Sequence, residues 1–406
     1  MDPNQPAPTQ IRVAFLFTAL ALLAVLFLQV LDPEFTGYDF RPIYAAGYMI
    51  RQGNRAGLYD IKAQTQTERM LFHRAQPLLI VHPPFEALMF VPLAMLSYRA
   101  AYVVWGMVNI CLWMLFAYLA RPFAPVPRQP FQYLILCFAF LPSWVGLLDG
   151  QTTFLLLLVY WLVFISLRRR QEFHAGALLG LGLFRFQLVL PFALVCLLRR
   201  RWKMMAGFGA VAAALGLISV ALVGTSGVLS YFRLLLHLIK YPSDPAYMAA
   251  PPSDMTNLRG FCSVLLAPRL GEKWTNATVA ALSAGLILLA ARRWRPPETR
   301  ESDASLGLAF AAALAVTLVT GFHLHNYDLT LALPALLLVF ASPQWAAKSR
   351  WRQMINLSIL IFYFPPIYFL LSHWDLRYLL FIPLAGFTVA AFGLLEKRGS
   401  VPKVFW

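Results

Sequence analysis

Apolar runs of roughly twenty residues, separated by short polar or basic stretches, dominate the chain. They fall at 11–31, 98–120, 131–148, 150–168, 203–223, 274–292, 304–322, 326–342, 352–371 and 375–396. A helix needs about 20 apolar residues to cross a bilayer, so each run predicts one crossing. The first run is of full span length and ends in Leu31-Asp32-Pro33-Glu34. It lacks the short core and small-residue cleavage site of a secretion signal, so an uncleaved helix is expected there. Between basic clusters at Arg168-Arg169-Arg170 and Arg199-Arg200-Arg201, residues 173–198 break the simple pattern. These 26 residues are too few for two crossings, and Phe184-Arg185-Phe186-Gln187 puts polar groups at membrane depth. A broken or re-entrant pair of half-helices fits, because interrupted backbone is tolerated where protein or a cavity satisfies it. One long tilted helix is the alternative.

Two longer stretches, 32–97 and 224–273, separate the spans and carry amphipathic pieces near 42–52, 61–75 and 228–240. His82-Pro83-Pro84 opens a further short apolar helix. Such helices suit the membrane interface. The expected fold class is therefore all-α and integral to the membrane. It is a single membrane domain over 1–406 with ten full spans and the broken pair, ten to twelve in total.

Composition agrees. Hydrophobic residues make up 60% of the chain, charged residues 13%, and the mean hydropathy is +0.64. A soluble domain of this length needs more polar surface, which excludes a cytosolic globular enzyme. The formal charge of +16 would suggest nucleic acid in a soluble chain. Here the cations come in bursts between apolar runs, so no nucleic acid partner is expected; membrane lipids are. With Arg12, 121–130, 168–172, 199–203, 292–303, 343–352 and the tail on the cytoplasmic side, that side holds 20 of the 34 Lys and Arg. The opposite short turns at 149–151, 322–326 and 372–375 hold none. The positive-inside rule then puts both termini in the cytoplasm and loops 32–97 and 224–273 outside. Cys111, Cys137, Cys196 and Cys262 show neither metal spacing nor a disulfide framework.

Ionisable groups near membrane depth are costly, and on the outward side they form a short set. Asp39 and Arg41 follow the first helix, His82 and Glu86 open the short helix, and Asp149 and Gln151 flank a tight turn. His323, His325, Tyr327 and Asp328 share Gly-Phe-His-Leu-His-Asn-Tyr-Asp, and Arg185 can reach the same level from below. A carboxylate can take a proton from a sugar hydroxyl. Arg and His can hold a lipid phosphate as it leaves. Such a set suits sugar transfer from a polyprenyl phosphate, needs no metal, and shows no acidic metal cluster or nucleotide-binding loop. Each residue also has a plainer reading. Asp39 fits a helix cap ahead of Pro42, Asp328 and Tyr327 fit the start of a span, and Gln151 fits a turn. The two histidines alternate, so on a helix only one would reach the site.

The order of motifs resembles glycosyltransferase family 87, polyprenyl-phosphate-sugar-dependent enzymes of the GT-C superfamily that include α-1,2-mannosyltransferases. The matching pieces begin with Gly37-Tyr38-Asp39-Phe40, Tyr44-Ala45-Ala46, Gly53…Leu58-Tyr59-Asp60 and Pro83-Pro84-Phe85. Pro92-Leu93-Ala94, Trp105, Gly150-Gln151, Gly176…Gly180, Arg185-Phe186-Gln187, Arg200-Arg201-Trp202 and His325-Asn326-Tyr327-Asp328 follow. The resemblance implies Asp39 as the catalytic aspartate of an inverting transferase. It implies Arg185, Gln187 and His323 or His325 at the donor phosphate. It leaves Arg41, Tyr44, His82, Glu86, Asp149, Gln151, Tyr327 and Asp328 for sugar or acceptor. The family pattern at 185–187 reads Lys-Pro-Gln; Arg-Phe-Gln keeps the charge and loses the proline. The implied partners are a polyprenyl-phosphate sugar (mannose or another hexose or pentose) and a glycolipid or glycan acceptor. No cofactor is implied. The implied place is the bacterial inner membrane, serving the cell envelope, with an extracytoplasmic active site. A transporter or flippase of lipid-linked saccharides is the rival reading, although 173–198 has no partner segment in a second half.

Overall fold

The computed structural model describes residues 39–72, 78–123, 130–241, 251–294, 303–346 and 350–396, so the expected span at 11–31 lies outside the described residues. Among these residues every regular element is a helix. In order the helices of seven residues or more are α1 (Phe40–Arg51), α2 (Ile61–Phe72), α3 (Pro84–Phe90), α4 (Tyr98–Ala120), α5 (Pro130–Phe138), α6 (Leu141–Leu148), α7 (Thr153–Arg168) and α8 (Glu172–Leu181). Then follow α9 (Phe186–Leu198), α10 (Trp202–Lys240), α11 (Leu258–Arg293), α12 (Asp303–Thr320), α13 (Ala332–Phe340), α14 (Arg350–Tyr363), α15 (Pro365–His373) and α16 (Phe381–Glu396).

Among the described residues, five stretches are long and apolar enough, by length and composition, to cross a membrane: Tyr98–Phe123, Glu172–Leu198, Trp202–Lys240, Leu258–Arg293 and Arg377–Leu395. Thr153–Arg168, Ala304–Thr320 and Asn326–Phe340 are shorter apolar helices. Two expected spans are split. Residues 131–148 break at Ala139–Phe140, ahead of Pro142, and 352–371 break at Phe364, ahead of Pro365 and Pro366. Proline lacks the N–H and clashes with the preceding turn, so each helix restarts there.

Two further breaks come from glycine. Gly224 in α10 (φ 73°) and Gly271 in α11 (φ 76°) hold a backbone conformation that other residues rarely adopt. α10 thus joins the expected span at 203–223 to the amphipathic piece at 228–240 through a sharp bend. The arm of α11 before Gly271, residues 258–270, is helix where the sequence reads as loop.

Residues 172–198 leave one end of the bundle and return to it. Arg201, just past α9, pairs with Glu172 at the start of α8 at 2.7 Å. Its guanidinium also lies 4.9 Å over the Trp294 ring. Halfway between, Arg185 bonds Gln151 and Thr152 at the opposite end. α8 then runs beside the start of α10 in the same direction, Gly176 against the Met204 backbone and Gly207 against the Phe173 backbone. Below the site the core is a web of tilted and edge-on rings, Tyr160, Phe164, Phe192, Trp294 and Phe310 among them. All five are buried.

A side chain at Gly176 would overlap the Met204 carbonyl oxygen, which cannot step aside as a flexible side chain can. Gly176→Leu is therefore expected to destabilise the protein by about 3 kcal/mol or more. Gly209→Ala, on the open surface of α10, is expected to change thermal unfolding little.

Candidate functional site

Helix α4 builds a shelf for the turn between α6 and α7. Tyr102, Trp105 and Asn109 recur at i, i+3 and i+7, which places them on one helix face. Tyr102 donates to the Leu148 carbonyl at 2.6 Å, Trp105 to Gly150 at 2.9 Å and Asn109 to Gln151 at 3.0 Å. Gly150 takes a left-handed conformation (φ 67°), and a Cβ there would come within 2.8 Å of Phe40. The turn thus fixes Gln151 directly beside the start of α1.

From that turn Gln151 joins two charges. Its Nε2 donates to the Asp39 carboxylate at 2.6 Å. Its Oε1 accepts from an Arg185 N–H. Asp39 stands in the cap position of α1 yet makes no side-chain bond to the helix N–H groups. Its carboxylate is turned to Gln151 instead. Arg185 is brought in by the short 3-10 turn between α8 and α9. It also donates through Nε to Thr152 at 3.1 Å and lies 5.7 Å over the Tyr327 ring.

The loop after α12 closes the other side. His323 and His325 lie in non-helical backbone, so their rings converge, with Nε2 atoms 2.7 Å apart. The helical alternation that would send them apart does not apply, and both line the cavity. Asp328 accepts from the His325 backbone N–H at 3.0 Å, capping the 3-10 turn Asn326–Leu331. Its buried charge also acts on Arg185.

These groups border a cavity of about 280 Å³. Asp39, His82, Gln151, Arg185, Gln187, His323, His325 and Tyr327 line it, with an apolar wall that includes Leu79, Val81, Leu235 and Leu238. His82 is oriented from behind by Glu86, whose carboxylate meets Nδ1 at 2.8 Å. Five residues of the expected set do not line the cavity: Glu86 behind His82, Asp328 at its 3-10 turn, and Arg41, Tyr44 and Asp149. Arg41 is buried over the Phe72 ring at 5.6 Å, and Tyr44 donates to the Leu96 carbonyl at 2.8 Å. Asp149 lies behind Asp39, within reach of the charge on Arg377. Asp60 is an ordinary cap, bonding the Ala63 N–H at 2.8 Å. The cavity also holds a residue that sequence reasoning misses, Arg259, on the first turn of α11. Only its isolation in a weakly polar stretch, Thr256-Asn257-Leu258-Arg259-Gly260, could have marked it. Among the described residues no group of three or more His, Cys, Asp or Glu could hold a metal ion.

A bundle of apolar helices around a largely apolar cavity that carries a carboxylate, two arginines and paired histidines defines a multi-pass membrane protein with an enzyme-like site. The family model of glycosyltransferase family 87 matches residues 81–321, more than half of the chain, and the protein belongs to that family. It is thus a glycosyltransferase. Neither a curated protein nor a solved structure matches the chain.

Burial holds His323 and His325 below the ordinary imidazole range; for His323 the neighbouring His325, Arg259, Arg185 and His82 lower it further. Unfolded, each would titrate near about 6.5. On acidification the unfolded chain takes these protons first, so their contribution to stability is lost as pH falls below about 6.5. Carboxylates raised by burial act oppositely: Glu68, pushed up to about 7 against the pull of Arg41, and Asp149, raised further by Asp39. The histidine share is isolated by comparing thermal unfolding of wild type and the His323→Gln, His325→Gln double variant from about pH 8 to about pH 5. Wild type is expected to lose more stability across that range; equal losses would contradict the assignment.

Proposed function

We propose that the protein is an inverting GT-C glycosyltransferase that moves one sugar from a polyprenyl-phosphate donor to a glycolipid or glycan acceptor. The observation that carries this reading is the chain Asp39–Gln151–Arg185 along the wall of one cavity. A carboxylate suited to accept a proton and a cation suited to a leaving phosphate are held side by side. Asp39 takes the proton of an acceptor hydroxyl. The oxygen attacks the anomeric carbon as the bond from that carbon to the phosphate oxygen breaks, and the electron pair leaves with the polyprenyl phosphate. Inversion follows from a single displacement. Arg185, Gln187 and the His323–His325 pair sit where the departing phosphate gathers charge. His82 with Glu86, and Tyr327, offer contacts to the sugars.

In the membrane, the end marked by Arg168–Arg170 and Arg199–Arg201 lies in the cytoplasm by the positive-inside rule. Residues 173–198 then dip in and out from that side, and the cavity opens on the extracytoplasmic side of a bacterial inner membrane with both termini inside. The loops 32–97 and 224–273 contribute the walls of the cavity and belong to the same membrane domain. The donor is mannosyl or another hexosyl or pentosyl polyprenyl phosphate.

The test is transfer by purified protein in lipid nanodiscs, offered a panel of polyprenyl-phosphate sugars and envelope glycolipids and read by mass spectrometry. A glycosylated acceptor is expected. Asp39→Asn is expected to lower turnover by about 10²–10⁴-fold, the usual reach of a positioned general base. Turnover like that of wild type would remove Asp39 from the chemistry. Movement of lipid-linked sugar across vesicles without a covalent product would replace the enzyme reading with a transporter.

A further inference from the structure

Arg185 enters the site with its hydrogen-bonding fork already engaged. Nε is on Thr152, a terminal N–H is on Gln151, the face is on Tyr327, and the Asp328 charge is close by. Part of its fork is thus committed to Gln151 and Thr152, which leaves it a smaller share of an incoming anion. Arg259 is differently placed. It is 8% exposed and lines the same cavity as Asp39 and His323. Its guanidinium lies 4.0 Å over the Phe322 ring and donates to the Phe322 carbonyl at 3.3 Å. Its only other partner among the described residues is the Met255 sulfur at 3.9 Å. No carboxylate among the described residues comes within 4.0 Å of it; Glu272 acts on it only from farther away.

A nearly buried guanidinium without a counterion is costly, and an anion bound beside it removes that cost. The cavity also says what kind of anion. Besides Arg259 its wall includes Leu235, Leu238 and Ile239 of α10 together with Leu79 and Val81. At the rim Val81 and Ile239 are 37% and 50% exposed, so the opening is itself apolar. A hydrocarbon chain fits such a wall; a hydrated free ion gains nothing from it.

We propose that Arg259 is the principal anion anchor of the cavity. It takes the phosphate of a lipid monophosphate whose apolar chain runs along the 235–239 face of α10. This deepens the glycosyltransferase reading, and rests on it for treating that lipid as the leaving group. Arg185, which also holds Gln151, then stabilises the departing phosphate together with Gln187 and the histidines, and Arg259 is the anchor that fixes the headgroup.

Binding to the purified full chain is measured from ligand-induced thermal stabilisation, with farnesyl phosphate, farnesol and inorganic phosphate as separate ligands. Wild type is expected to bind farnesyl phosphate tightest. Arg259→Gln is expected to weaken that binding by about tenfold or more, the usual share of a hydrogen bond to a charged group. Arg259→Lys keeps the charge without the fork and is expected to fall between the two. If Arg259→Gln does not fold, the lysine variant decides: affinity equal to wild type overturns the proposal. Wild-type affinity in Arg259→Gln overturns it as well. Inorganic phosphate binding as tightly as farnesyl phosphate overturns the lipid part. Sugar transfer by wild type with unchanged lipid-phosphate binding in the Arg259 variants sinks the anchor and leaves the function standing. Arg259-dependent binding without any transfer does the reverse.

Discussion

One side-chain amide holds opposite charges apart and in line. Gln151 can donate and accept at once, so it bonds the Asp39 carboxylate with its nitrogen and Arg185 with its oxygen. A direct ion pair would turn the carboxylate and the guanidinium toward each other and away from a ligand. With the amide between them, Asp39 keeps oxygen lone pairs for the cavity and Arg185 is still neutralised within one hydrogen-bonded chain. Everything else in the architecture serves to keep that amide in place. The shelf of Tyr102, Trp105 and Asn109 fixes the turn, and Gly150 lets the turn approach Phe40 closely. Residues 172–198 go out and back, delivering Arg185 from the other end of the bundle.

The site gathers several of the structure's buried polar side chains. Asp328, Glu86, Gln151, Arg185 and Arg259 are each at most 8% exposed, and most are answered by a specific neighbour. Arg259 is answered least. A buried network of this kind rigidifies a site when its members are satisfied and leaves an opening where one is not. Here the opening coincides with the cavity and its apolar wall, where a ligand with a charged head and a greasy tail would lie. The paired histidines beside it are both pulled below the ordinary imidazole range, chiefly by burial.

Much of the helix layout was legible in the sequence because hydropathy over a span length is a strong signal. The helices at 98–120, 203–223 and 304–320 stand where the apolar runs put them. The breaks were less legible. Proline at 142 and 365 does split runs that hydropathy joins. Gly224 and Gly271 fall at the start and near the end of the stretch 224–273 that reads as loop, so nothing marks them as bends within continuous helices. The Pro-rich stretch with Pro242, Pro245, Pro251 and Pro252 made the residues after it read as loop. In the site, Asp39, Gln151 and Arg185 could be named from motif order, but their bonding could not, because it joins residues up to 112 positions apart. The histidines were misjudged because helical spacing was applied to a loop. Arg259 was missed because its meaning comes from Phe322, which only the fold brings beside it.

The bridging role of Gln151 is tested most directly by a double-mutant cycle on sugar transfer. Gln151→Leu, Arg185→Lys and the combined variant are compared with wild type by kcat/KM. If the two side chains act through one another, the combined loss is little worse than the larger single loss, with a coupling of about 1 kcal/mol or more. Losses that simply add would mean that Arg185 and Gln151 work separately and that no amide bridge organises the site.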